Sequence, residues 1–145
     1  MMDINMDSLV TYNPQQDFKL ILAGSEAGGG WLILPLPDGS TRCVELEGRH
    51  VKVLLVLNDA LKEDEQKPDL EEVGRGWRSD ENIAEAYGEG EKEYRPEPES
   101  IANYRSQIRD RIRRATPPEF DEPELFIRKT GTGKRRLVKK LVVVN

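Results

Sequence analysis

The spacing of apolar residues changes twice along these 145 residues, and the two changes constrain the fold more than any single motif. From Ser8 to Leu46 the apolar residues come in short runs. Phe18-Lys19-Leu20-Ile21-Leu22 and Trp31-Leu32-Ile33-Leu34 are followed by alternation over Thr41 to Leu46. Runs of this length bounded by Gly, Pro and Asp fit half-buried strands. Gly24 to Gly30 reads as a glycine-rich turn. Pro37-Asp38-Gly39-Ser40 is a second turn, because Pro presets φ and Gly accepts φ > 0. A small antiparallel sheet is expected, with Cys43 as a small buried residue of a strand.

Helical spacing takes over at Gly48. Val51, Leu54, Leu55, Leu57 and Leu61 share one face, and this helix is expected to end between Lys62 and Asp64. An exposed acidic connection from Glu63 to Glu72 and a short extended link at Gly76-Trp77-Arg78 follow. Ser79 is a good N-cap, with Asp80 and Glu81 in the first turn where the helix dipole favours them. Ile83, Ala84 and Tyr87 supply the apolar face of this second helix, and Gly88 stops it. A polar loop from Glu89 to Glu99 leads to a third helix, capped by Ser100 and running to Ala115. Its apolar residues Ile101, Tyr104, Ile108, Ile112 and Ala115 step by 3, 4, 4 and 3, a narrow core stripe. Pro117 and Pro118 end it.

The pattern then reverts to extended runs. Leu125-Phe126-Ile127 and Leu137 to Val144 flank Thr130-Gly131-Thr132-Gly133 and predict a hairpin. The expected class is α+β: a sheet over 15–47, three helices over 48–115 and a hairpin over 124–145. Length suits one domain, 15–145, after a flexible N-terminus at 1–14.

Single copies of Cys43 and His50 exclude an intrachain disulfide and argue against a Cys- or His-based metal site or a catalytic triad. His50 reads as a structural or surface residue. No cofactor, metal or enzymatic activity is expected. No apolar run approaches the roughly 20 residues that cross a membrane, and the N-terminus lacks the pattern of a signal peptide, so a cytoplasmic protein is expected. Thr130-Gly131-Thr132-Gly133-Lys134 lacks the first Gly of a phosphate-binding loop and has Arg135 where Ser or Thr would hold magnesium.

Charge is divided unevenly. Residues 101–145 hold twelve Lys/Arg and five Asp/Glu, a net of +7, while the first hundred residues carry −12. Such asymmetry points to a polyanion partner. Two elements hold the positive charge. On the third helix, Ser106, Gln107, Asp110, Arg113 and Arg114 face away from the apolar stripe with Asn103 beside them, and Arg105 and Arg109 lie on one flank. On the hairpin are Arg128, Lys129, Lys134, Arg135 and Arg136. Arg and Gln read base edges in a major groove, and flanking cations neutralise phosphates.

The order strand–strand–strand–helix–link–helix–loop–helix–hairpin resembles a winged helix, in detail the effector domain of OmpR/PhoB-type response regulators. Leu46-Glu47-Gly48-Arg49-His50-Val51-Lys52-Val53-Leu54 is similar to that family's entry into its first helix. Gly76 through Gly88 is similar to its strand, cap and second helix. Tyr104 with Ile108-Arg109-Asp110-Arg111-Ile112 is similar to its recognition helix, and Ile127-Arg128 to Gly131-Thr132-Gly133 to its wing. Arg105 and Lys134 stand where the family has an apolar and an aromatic residue. No receiver domain is expected in the 145 residues, so phosphorylation control is not carried over.

The resemblance implies a winged helix-turn-helix that binds double-stranded DNA and regulates transcription, with helix 100–115 in the major groove and the wing on the backbone or minor groove. It also implies dimerisation on repeated half-sites. The acidic loop with Glu89, Glu91, Glu93, Glu97 and Glu99 lies where the family's transactivation loop would be, which implies docking of RNA polymerase or another protein. The alternative is a protein–protein interaction module or complex subunit that uses its acidic body and does not bind DNA.

Overall fold

A computed structural model describes residues 17–24, 28–88, 95–129 and 131–145. The 1–14 segment lies outside the described residues. Three strands, β1 (Lys19–Leu22), β2 (Gly30–Pro35) and β3 (Thr41–Leu46), form an antiparallel meander. Helices α1 (Gly48–Glu65), α2 (Asp80–Tyr87) and α3 (Pro98–Ala115) follow, with a 3-10 turn at Glu72–Gly74 between the first two. Strands β4 (Phe126–Arg128) and β5 (Arg135–Leu137) make an antiparallel hairpin, and β6 (Val142–Val144) ends the chain. The class is α+β.

The hairpin differs from expectation. Leu137 to Val144 is not one strand: β5 stops at Leu137, and β6 leaves to pair in parallel with β1, giving the sheet order β3-β2-β1-β6. The crossover is fixed by a buried amide. Asn58 on α1 accepts the Leu141 N–H at 2.8 Å, and the Val142 N–H reaches the Phe18 carbonyl at 3.0 Å. Lys139 and Lys140 between the strands pair with Asp17 and Glu65.

Period-two alternation sends Leu20, Leu32, Leu34, Val44 and Leu46 inward. They join Leu54, Leu57, Ile83, Ile101, Ile108 and Ile112 in one core. Tyr104 and Ala115 pack at its margin. Cys43 is exposed rather than buried, because the register sets it beside Ile33 and Lys19 on the outer face.

Ser79 caps α2 as expected, its hydroxyl accepting the Asn82 N–H. α3 begins at Pro98, with its N-cap at Glu97, three residues before the expected cap Ser100. Proline suits the first helical position, where its fixed φ is helical and its missing N–H costs nothing.

Helix α1 runs on to Glu65, past the expected end, and the acidic stretch from Glu63 to Glu72 is not uniformly exposed. Asp64 is 3% exposed. It accepts the Gly76 N–H at 2.8 Å, two bonds from Arg78 at 3.1 Å each, and a Lys67 contact at 3.0 Å. Burial pushes its pKa up, but these donors outweigh burial and hold it well below the ordinary carboxylate value. Gly76 adopts φ +81, and a Cβ there would lie 2.5 Å from the Leu61 side chain. The link can therefore approach Asp64 only with glycine at this position. Arg78 then exchanges two 2.9 Å backbone hydrogen bonds with Arg135, fastening the hairpin to the link between α1 and α2.

Candidate nucleic-acid interface

The two flanks of α3 face different neighbours. One turns toward β3 and the start of α1. There Arg111 donates to the Glu45 carbonyl at 2.8 Å and pairs with Glu47. Gln107 accepts from Arg49 Nε at 3.1 Å and lies 2.8 Å from His50 Nε2. Arg49 also pairs with Glu47.

His50 is fully buried. Its Nδ1 accepts the Glu47 N–H at 3.2 Å, the return half of a capping box with His in the place usually held by Glu or Gln. Burial first, then the nearby Arg49 and Arg111 charges, depress its pKa, while the bond to Gln107 opposes them. The ring is therefore neutral at pH 7. With Nδ1 accepting, its proton sits on Nε2 and is donated to Gln107 Oε1.

The other flank turns toward the hairpin. A cleft of about 270 Å³ there is lined by Ser106, Arg109, Arg128 and Arg135, with Glu122 and Glu124. Arg128 and Arg135 stand directly opposite each other across β4–β5, an unfavourable placement for like charges. Burial first, then Arg105, Arg128 and Arg109, depress the Arg135 pKa, with Asp80 opposing. The guanidinium stays charged. Positive charge gathered in this way is relieved by an anion.

Asn103, Ser106, Gln107, Arg109, Arg113 and Arg114 are exposed on α3, and Asp110 is half-buried. Asp110 holds both Arg113 and Arg114, the latter at 2.8 Å. Arg109, Lys129, Lys134 and Arg135 have no acidic partner within 4 Å among the described residues.

Two expected contact residues are corrected. Arg105 is only 6% exposed and pairs with Asp80 of α2. Its position at the edge of the apolar stripe places it between α2 and α3, so its charge is taken up in linking the helices although it borders the cleft. Arg136 is 5% exposed. It donates to the Leu137 and Glu72 carbonyls at 2.9 and 3.0 Å and lies over the Trp77 ring. Burial lowers its pKa, with Glu72 opposing.

The hairpin cations also do not share one face. Arg128 and Arg135 face α3, whereas Lys129 lies 5.9 Å over Trp77 and Lys134 lines a recess with Trp77 and Asn82. Lys129 and Lys134 lie one residue beyond the ends of β4 and β5, and the extended backbone there turns each to the side opposite its neighbour. At the tip, Gly131 and Gly133 both adopt positive φ.

Of the proposed docking loop, Glu89, Glu91 and Glu93 lie outside the described residues. Glu97 and Glu99 are exposed at the start of α3, as its N-cap and in its first turn, where a carboxylate suits the helix dipole.

The sequence reading missed the His50–Gln107 contact and the Trp77 platform. The spacing Glu47 to His50 at a helix start was a usable signal for the first. Nothing local signals the second. No helix of the described residues is long and apolar enough to cross a membrane. The chain matches no protein-family model, no curated protein and no solved structure.

Proposed function

We propose that the chain is a winged-helix protein that binds duplex DNA and regulates transcription, with α3 as the recognition helix and the β4–β5 hairpin as the wing. One observation carries the reading. Arg109 on α3 and the opposed Arg128–Arg135 pair on the hairpin face a common cleft, and neither Arg109 nor Arg135 has an acidic partner within 4 Å among the described residues. The backbone bridge between Arg78 and Arg135 also supports it, because it holds hairpin and helices as one unit. A DNA strand passing along α3 would place a phosphate at this cleft and the outward side chains of α3 toward base edges.

The test is binding of random duplex DNA across a salt series. Phosphate neutralisation predicts a slope near −0.9 per contact in log affinity against log salt. Arg109→Glu with Arg135→Glu is expected to abolish binding. Absence of binding by the unaltered protein at low salt sinks the proposal.

A second reading, the protein-interaction module, is favoured by the outer face of the sheet. Trp31, Val142 and Val144 are about 40% exposed there, and Ile21 lies between Trp31 and Val144 in the register.

A further inference from the structure

We propose that Gln107 is a preset hydrogen-bond donor that selects guanine, rather than the adenine with which glutamine ordinarily pairs. The proposal rests on the DNA reading above, in which α3 enters the major groove. A glutamine that recognises adenine uses both ends of its amide: the oxygen accepts from N6 and the nitrogen donates to N7. In this protein the oxygen is already engaged. His50 Nε2 at 2.8 Å and Arg49 Nε at 3.1 Å converge on Oε1.

The amide orientation follows from a chain of donors and acceptors. The Glu47 backbone N–H can only donate, so His50 Nδ1 must accept, and the ring proton lies on Nε2. That N–H requires an acceptor, which Oε1 supplies. Arg49 is also a donor and requires the same atom. Both contacts therefore fix the oxygen inward and turn the amide nitrogen away. That nitrogen has no hydrogen-bond partner among the described residues, and Gln107 is exposed.

A group offering donors alone matches guanine, whose major-groove edge carries two acceptors, N7 and O6, and no donor, whereas thymine offers the single O4 acceptor beside a methyl group. Adenine presents an amino donor beside N7, and cytosine presents a donor amino group. Both oppose the Gln107 amino group. His50 is thus a positioning residue: buried and touching no DNA, it sets which base the helix accepts.

The experiment has two arms. In the first, nitrogen NMR of His50 in the free protein is expected to show a protonated Nε2 and an unprotonated Nδ1 at pH 7.5. The opposite tautomer, or averaging between the two, overturns the preset amide whatever the protein binds. In the second, duplexes are selected from a random pool with the unaltered protein, Gln107→Ala, Gln107→Lys and Gln107→Glu. At the one position whose preference Gln107→Ala erases, guanine is expected to be favoured over adenine by about tenfold.

At that position 7-deazaguanine should lose most of the preference. Gln107→Lys, another donor-only side chain, should retain guanine, and Gln107→Glu should turn the preference toward cytosine. Adenine at that position, or a guanine preference that survives Gln107→Ala, overturns the assignment while leaving DNA binding standing. Absence of any selected or low-salt duplex binding overturns the DNA reading and the assignment with it.

Discussion

On the flank of α3 beside β3 and α1, Arg111 is held by the Glu45 carbonyl and Glu47, and Gln107 by Arg49 and His50. On the flank beside the hairpin, Arg109 has no acidic partner within 4 Å among the described residues and faces Arg128 and Arg135 across a cleft. The same helix thus carries cations with two different roles. Where a carboxylate from another element reaches the guanidinium, the pair joins parts of the fold. Where none does, the charge remains available to a partner. Net charge of a segment does not separate these cases, because it counts both alike.

The largest test of this division concerns the internal side. Asp64 gathers Arg78, Lys67 and the Gly76 N–H. Asp64→Ala leaves Arg78 uncompensated beside the link and is expected to cost about 3–5 kcal/mol in denaturant unfolding. A loss below about 1 kcal/mol would mean that this network does not hold the hairpin's support in place.

Next comes a paired comparison of two arginines one helical turn apart. Arg105→Ala removes the tie to Asp80 and is expected to cost about 2 kcal/mol of stability, at the low side of buried pairs because Asp80 is partly exposed. The salt slope of DNA binding should stay unchanged. Arg109→Ala should do the reverse, leaving the unfolding midpoint where it was and reducing the slope by about 0.9. Measuring both quantities on both variants breaks the comparison if the two arginines behave alike.

The smallest effect is on pH. Burial depresses the folded-state pKa of His50, so the unfolded chain takes up its proton first as pH falls. Stability from this group is fully present above the ordinary histidine value of about 6.5 and is lost as pH drops through the depressed folded value. Asp64 adds a separate acid limb: its contribution is present above about 3.9, the ordinary carboxylate value, and is lost below it. Unfolding midpoints from pH 8 to 3 should show two declines, and His50→Phe should remove only the first.

Much of the architecture was legible because it depends on local period and capping. The stripe Ile101, Ile108, Ile112, the cap at Ser79 and the stop at Gly88 all depend on residues within one turn of each other, and each recurs in the structure. The start of α3 was misread because proline at a first helical position looks, in sequence, like proline in a loop. The break between β5 and β6 was hidden because its cause, Asn58, is 83 residues from Leu141.

At the candidate site, the sequence located the positive charge on α3 and the hairpin but could not say which cations were paired. Arg105 and Arg109 are four residues apart, of one type and on one flank, and both border the cleft, yet only Arg105 is buried and paired with Asp80. Lys134 and Arg135 are neighbours that face opposite sides of the hairpin. The sequence by itself therefore determined the order of elements, their apolar faces and the uneven charge, since these follow from short-range spacing. Only the tertiary structure decided which charges are internal and which remain outward, and that His50 orients Gln107. An ion pair or hydrogen bond forms over a few ångströms of space, whatever the distance along the chain.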